Sequence, residues 1–224
     1  MKQLKVYSVS DRYIDYLRAD SLLEKFVFDH KASDRKHDRK YIGVVFVTNG
    51  YNYFVPFASP KESDYVDQNG IKQIRKNTIS IIRMTTDNRK DIPSMLLGTL
   101  KLNNMIPIPK TELVYYDFEK EKDVKYRDVV LKEYEYIKRN SNLILNNASF
   151  IYHQKEIEQS IKNKPGYLNF TVPFKYAEHK CLEYCKIYNA ELNQHTLSDL
   201  QEWQNNAEKV IEAASRKKDT QTQR

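Results

Sequence analysis

The stretch YIGVVFVTNGYNYFVPFASPK, residues 41–61, constrains the fold of this chain more than any other. Two runs rich in β-branched and aromatic residues, 41–48 and 51–57, flank Asn49-Gly50. A type I′ turn needs φ > 0 at both central residues, which Asn-Gly adopts at little cost, so the stretch predicts a β-hairpin. Both runs are almost continuously apolar, so both faces of the hairpin are expected inside the protein, at the centre of a sheet. Pro60 ends the ladder and holds Ser59 extended. A hydroxyl and an ammonium two residues apart, Ser59 and Lys61, are thus expected at the rim of a rigid sheet, where fixed geometry favours chemistry.

The rest of the chain reads as strands first and helices later. Residues 4–9 form a short strand. Ser10-Asp11 caps a helix that starts near Arg12 and carries Tyr13, Tyr16 and Leu17 at i, i+3, i+4. Residues 21–28 fit no single pattern. Residues 71–75 start a strand or a short helix, 78–84 (TISIIRM) are a strand, and 94–101 and 105–108 are two strands joined at Asn103-Asn104. Helical stripes follow over 124–140, with Val129, Val130, Tyr134, Tyr136 and Ile137 apolar, then over 149–162 and within 169–188, with a break at Pro165-Gly166. A last helix over 196–215 carries a seam of Leu197, Leu200, Trp203, Val210, Ile211 and Ala214. Residues 216–224 read as a disordered basic tail. The order predicts an α+β fold: a twisted antiparallel sheet core with surrounding helices and a C-terminal helical extension.

The formal charge of +7 admits a nucleic-acid or anionic partner without demanding one. Cys181 and Cys185 lie i, i+4 on a predicted helix, which reads as two buried thiols in a reducing compartment rather than a disulfide or zinc site. The first residues lack the apolar core of a secretory signal, and no apolar run is long enough to span a bilayer. A cytoplasmic protein with no membrane partner is therefore expected. The five glycines are scattered, which disfavours a phosphate-binding glycine loop. The acidic residues form no motif that would hold two metals, so no metal or other cofactor is expected. His153 and His179 lie on predicted helices far from the hairpin and read as structural or solvated.

Just before the hairpin, residues 30–40 (HKASDRKHDRK) hold Lys31, Arg35, Lys36, His37, Arg39 and Lys40. With Thr48 opposite Tyr51, ideal pairing sets Ile42 opposite Phe57 and brings Arg39 and Lys40 within reach of Ser59 and Lys61. Guanidinium, ammonium and hydroxyl groups together suit a phosphodiester; an ordinary solvated basic face is the plainer reading. If RNA is the ligand, its 2′-hydroxyl can attack its own 3′-phosphate without a metal. That step needs stabilisation of an anionic pentacoordinate phosphorus and help with two protons. Tyr13 and Tyr16 are candidates for base stacking, against the plainer reading of core tyrosines.

With these residues in view, the chain resembles the ToxN/AbiQ family, the endoribonuclease toxins of type III toxin–antitoxin and phage abortive-infection systems. The resemblance runs in order through KVYSVSDRYIDYL, YIGVVFVTNGYNYFVPFASPK, LGTLKLNNMIPIP and YEYIKRN. It implies a sheet core like that of the MazF/Kid toxins. It also implies a metal-independent RNase that leaves 2′,3′-cyclic phosphate and 5′-hydroxyl ends. The implied partners are the RNA substrate and a small RNA antitoxin of tandem repeats, closed with the toxin into a hetero-oligomer.

By the same resemblance Ser59, Lys61 and Arg39 are the catalytic residues. His37, Lys40 and Arg35 are candidates for catalysis or RNA binding, and Lys36, Tyr13 and Tyr16 for RNA binding. Two departures stand out: Ala58 replaces a frequent threonine, and Arg35, with His37 nearby, stands where the family has a tyrosine. The implied division is a toxin domain over 1–188, the helical extension over 189–215 and the tail over 216–224. Two other readings stay open: a non-catalytic RNA-binding module, and a protein-interaction module built on the 196–215 helix.

Overall fold

The computed structural model describes residues 4–29, 37–87 and 93–189. The helix expected over 196–215, the tail, Arg35, Lys36 and Lys31 lie outside the described residues.

Strand β1 (Lys5–Val9) leads into helix α1 (Asp11–Arg18). Ser10 caps the helix by accepting from the Tyr13 amide at 3.3 Å, an interaction worth about 1 kcal/mol. The Ser10 hydroxyl also donates to Glu112, which Arg12 Nη2 holds at 2.7 Å, so the cap is tied to a distant turn. The ambiguous segment after α1 is a set of turns. Asp20 accepts from the amides of Leu22 and Leu23 at 3.0 and 3.2 Å, while Leu23, Phe26 and Val27 enter the core.

The hairpin forms as its turn residues dictate. Strands β2 (Lys40–Thr48) and β3 (Tyr51–Ala58) meet at Asn49 and Gly50, with φ of 49° and 81°. In β3 every residue after Tyr51 is buried, which makes it the central strand. The register departs from the ideal. Thr48 faces Tyr51 as expected, but Gly43 pairs with Phe54 while Phe46 pairs with Tyr53. Val44 and Val45 therefore have no counterparts, a bulge that bends β2. Gly43 makes this possible, because a Cβ there would stand 2.0 Å from the Phe54 ring. Ile42 consequently faces Val55 rather than Phe57.

A small hairpin, β4 (Tyr65–Gln68) with β5 (Ile71–Ile74), precedes β6 (Ile81–Thr85) and β7 (Leu96–Lys101). Residues 102–104 make a 3-10 turn before β8 (Ile106–Pro107), and β9 (Leu113–Tyr115) closes the strand set. The main sheet runs β6-β7-β3-β2-β1-β9, with β8 also on β3, and every recorded pairing is antiparallel. β7 and β8, consecutive in sequence, thus pair with the same strand β3 at different positions instead of forming a hairpin with each other.

Helix α2 (Val124–Arg139) packs on β6 and β7. The chain breaks at Asn140 and re-enters α3 (Ser141–Glu156), eight residues earlier than the apolar pattern predicts, and α3 packs on β2. Helix α4 (Phe174–Tyr188) follows the 3-10 turn over Gly166–Phe170 and packs on α1, α3 and β8. Its Glu178 is buried and accepts from the hydroxyls of Tyr53 and Tyr152 at 2.8 and 2.7 Å. Cys181 and Cys185 are free buried thiols. No helix among the described residues is long and apolar enough to cross a membrane.

Candidate active site at the rim of the central strand

The site grows from the end of β3. Ser59 and Lys61 follow its last buried residue, and both are exposed. Lys61 is not loose: its amide donates to Asp64 Oδ2 at 3.0 Å. Asp64 is buried, and its other oxygen, Oδ1, stands 3.2 Å from Arg83 Nε on β6, an ion pair by distance. Lys101 on β7 completes the group. Burial pushes its ammonium below the ordinary lysine range, as do the nearby charges of Arg83 and Lys61, against the pull of Asp64. Arg83 and Lys101 thus lie near one buried carboxylate, Asp64, which also anchors the backbone of Lys61.

Arg39 and Lys40 are both buried, and the bulge places them differently from the ideal register. Continued past Tyr41 and Pro56, the observed pairing brings Arg39 across from Ala58 rather than from Pro60. Its Nη1 donates to the Phe57 carbonyl, and its guanidinium lies 4.5 Å from the Phe28 ring centre. Lys40 turns the other way, as successive strand residues do. Its Nζ donates to Ser8 Oγ at 2.9 Å and lies 4.8 and 5.9 Å from the ring centres of Tyr116 and Tyr126. Burial lowers its pKa, opposed by Asp38 and Glu121. Lys40 forms the floor of an open depression of about 430 Å³, with Ser8, Tyr115, Tyr116, Lys120 and Glu121 in its lining.

His37 packs at the side of this group. Its ring stacks on Tyr126 with centroids 3.9 Å apart and planes at 2°, and its Nε2 lies 3.2 Å from Asp123 Oδ2. The two tyrosines of α1 do not join the site. Tyr13 is wholly buried and donates to the Pro107 carbonyl at 2.6 Å, so it offers no face to a base; the plainer reading, a core tyrosine, describes it. Tyr16 is half buried against Tyr184 and Tyr188. No group of three His, Cys, Asp or Glu side chains able to hold a metal occurs among the described residues.

With this geometry in place, the comparison with known proteins is specific. Residues 5–182 match the family model described as toxin ToxN of the type III toxin–antitoxin system. The chain belongs to the ToxN toxin family. It is 30% identical over 184 residues to the endoribonuclease ToxN of Bacillus thuringiensis subsp. kurstaki, which covers 80% of this chain and 84% of that one. It is also 30% identical to the endoribonuclease AbiQ of Lactococcus lactis subsp. lactis, over 82% of this chain and 90% of that one.

Two solved structures share the fold. One concerns bacterial type III systems with selective toxin inhibition by a non-coding RNA pseudoknot. It has a TM-score of 0.61 and 29% identity over 82% of this chain and 98% of that one. The other is AbiQ, a lactococcal anti-phage endoribonuclease of a type III system, with a TM-score of 0.62 and 26% identity over 82% of this chain and 99% of that one.

Several neighbours in this candidate site escaped the sequence reading. Asp64, Arg83 and Lys101 come from three different elements, and no local pattern joins them. Glu133 carried a signal. The buried positions of α2 are Val130, Glu133 and Ile137, so the inward stripe includes a carboxylate among apolar residues, whereas Val129 is 39% exposed.

Proposed function

We propose that this chain is an endoribonuclease toxin that cuts RNA at the Ser59 rim and is silenced by an RNA antitoxin. The observation that carries the reading is the exposed Ser59–Lys61 pair at the end of a buried strand, with the Lys61 backbone anchored by Asp64, the partner of Arg83. Family membership supports it. The activity named for the Bacillus and Lactococcus relatives, and the inhibitory RNA and anti-phage role named for the similar structures, are carried over to this chain on that basis. A MazF/Kid-like sheet core, tandem repeats in the antitoxin, a closed toxin–RNA assembly and action in the cytoplasm belong to the same reading. So does a toxin domain that ends near residue 188.

The chemistry is transesterification. The 2′-oxygen of RNA attacks its own 3′-phosphorus, the bond to the 5′-oxygen breaks, and a 2′,3′-cyclic phosphate and a 5′-hydroxyl remain. Charge builds on the phosphoryl oxygens, and preorganised donors stabilise it without a metal. Lys61 supplies an exposed ammonium for those oxygens. Ser59 donates from its hydroxyl; its own pKa is too high for it to take a proton at neutral pH. Arg39 fixes the Phe57 carbonyl just behind Ser59 and adds positive field from within the sheet. The depression over Lys40 holds an adjoining nucleotide, with Tyr115, 56% exposed, as a stacking face.

Incubation of the purified chain with mixed RNA in EDTA tests this. The wild type is expected to fragment the RNA and Ser59→Ala to leave it intact with an unchanged melting temperature. Binding with no cleavage by the wild type at any pH would instead mark a non-catalytic RNA-binding module. Loss of all function on removal of residues 196–224 would favour a protein-interaction module.

A further inference from the structure

Glu133 occupies an unusual position for a carboxylate. It lies on the inward stripe of α2 between Val130 and Ile137 and is 6% exposed. Among the described residues it makes no ion pair or hydrogen bond. Its carboxyl rests on β7 at Gly98, where a Cβ would come within 2.2 Å of Glu133 Oε1 and 3.0 Å of the Ala58 carbonyl oxygen. Gly98 is therefore the opening that admits this group to the strand surface.

The register relates that opening to Ser59. Phe57 pairs with Leu100 and Ala58 with Thr99, so the next position sets Ser59 across from Gly98. Directly opposed residues share a sheet face, with Cβ positions about 4.5–5.5 Å apart. One step past the last recorded pair, this register puts Ser59 on the sheet face of Gly98, the face on which the Glu133 carboxyl rests next to the Ala58 carbonyl. A structural role does not account for the carboxyl. Among the described residues it caps nothing and pairs with nothing, and an apolar residue of the same size would fill the stripe without the desolvation penalty.

We propose that Glu133 donates the proton taken up by the departing 5′-oxygen when RNA is cut beside Ser59; this rests on the endoribonuclease reading. As the 2′-oxygen bonds to phosphorus, the phosphorus–5′-oxygen bond breaks and its electron pair stays on the 5′-oxygen. That oxygen takes the Glu133 proton, the carboxylate is reprotonated from water, and the 2′-hydroxyl proton leaves to solvent. Burial pushes the Glu133 carboxyl up to about 8, so it holds its proton at neutral pH.

The groups facing it leave that state undisturbed. Tyr126 of the same helix is the titratable neighbour, and burial raises its own pKa. β7 offers Gly98, β3 the Ala58 carbonyl and β6 the Met84 methyl. The cations of those strands, Arg83 and Lys101, are drawn to Asp64.

The test compares full-length wild type and Glu133→Gln, at a mapped cleavage site, on ordinary RNA and on RNA whose bridging 5′-oxygen there is sulfur. A thiolate leaves without a proton. On ordinary RNA at pH 7, Glu133→Gln is expected to be about 100-fold slower. It should also lack the fall in rate that the wild type shows above pH of about 8. On the sulfur substrate it should match the wild type within a few-fold. Binding of uncleavable 2′-O-methyl RNA should be unchanged, and Glu133→Asp should recover part of the rate. A variant with the wild-type rate and pH profile, or one equally slow on both substrates, overturns the proposal while the RNase reading stands. A wild type that cuts neither RNA overturns both.

Discussion

Glu133 Oε1 and Gly98 fit each other as side chain and recess: a Cβ on the glycine would stand 2.2 Å from that oxygen. Gly98→Ala must therefore displace the carboxyl or the β3 backbone, since the Ala58 carbonyl is also within 3.0 Å. A loss of about 1–3 kcal/mol in urea unfolding is expected, as for other overpacked sites. The double variant Gly98→Ala/Glu133→Ala should be more stable than the sum of the two single changes, because each relieves the other's clash. Strict additivity would show that the two residues do not share this space.

Burial of Glu133 sets a pH dependence of stability. Its pKa in the folded protein is about 8 against an ordinary 4.5, so the folded state binds the proton more tightly. The wild type therefore has its full stability below the ordinary value and loses part of it as pH rises toward about 8. Glu133→Gln has no such loss. Its stability relative to wild type should rise by on the order of 3 kcal/mol between about pH 5 and pH 8, read from urea midpoints across that range.

Asp64 joins the buried Arg83 to the backbone of Lys61. Asp64→Ala leaves a buried guanidinium without its countercharge, and a loss of about 3–5 kcal/mol is expected. Slower RNA cleavage should accompany it, measured at a temperature where the variant remains folded, because Lys61 loses its anchor. Lys61→Met tests the ammonium separately, with slower cleavage and little change in melting temperature.

Lys40 at the floor of the depression gives a binding prediction. Lys40→Met should weaken binding of 2′-O-methyl RNA similarly across sequences and reduce the slope of log affinity against log salt by about 1. An unchanged slope would place Lys40 in packing alone, through Tyr116 and Ser8.

Much of this fold was legible because its signals are local. Asn49-Gly50 fixed the hairpin turn, Ser10 the start of α1, and Pro60 the end of the central ladder. The bulge was not legible: Val44 and Val45 read as ordinary strand residues, and only the fit of Phe54 over Gly43 shows why the ladder slips. That slip sends Arg39 toward the Phe57 carbonyl and Lys40 toward Ser8, which ideal pairing had set together beside Ser59. The hydrophobic pattern of α2 suggested Val129 as an inward residue, yet it is exposed, whereas Glu133 is buried and a glycine on a distant strand makes room for it. Tyr13 illustrates the opposite error. A tyrosine that suits a base by type is taken into the core by a carbonyl partner, Pro107, that spacing along the chain cannot reveal.

The central claim, metal-independent transesterification at Ser59, is tested most directly by end-group analysis of RNA cut by the purified chain in EDTA. The fragments should carry 2′,3′-cyclic phosphate and 5′-hydroxyl ends and should be absent with Ser59→Ala. Fragments with 5′-phosphate ends, or cleavage that appears only when a divalent metal is added, would contradict it.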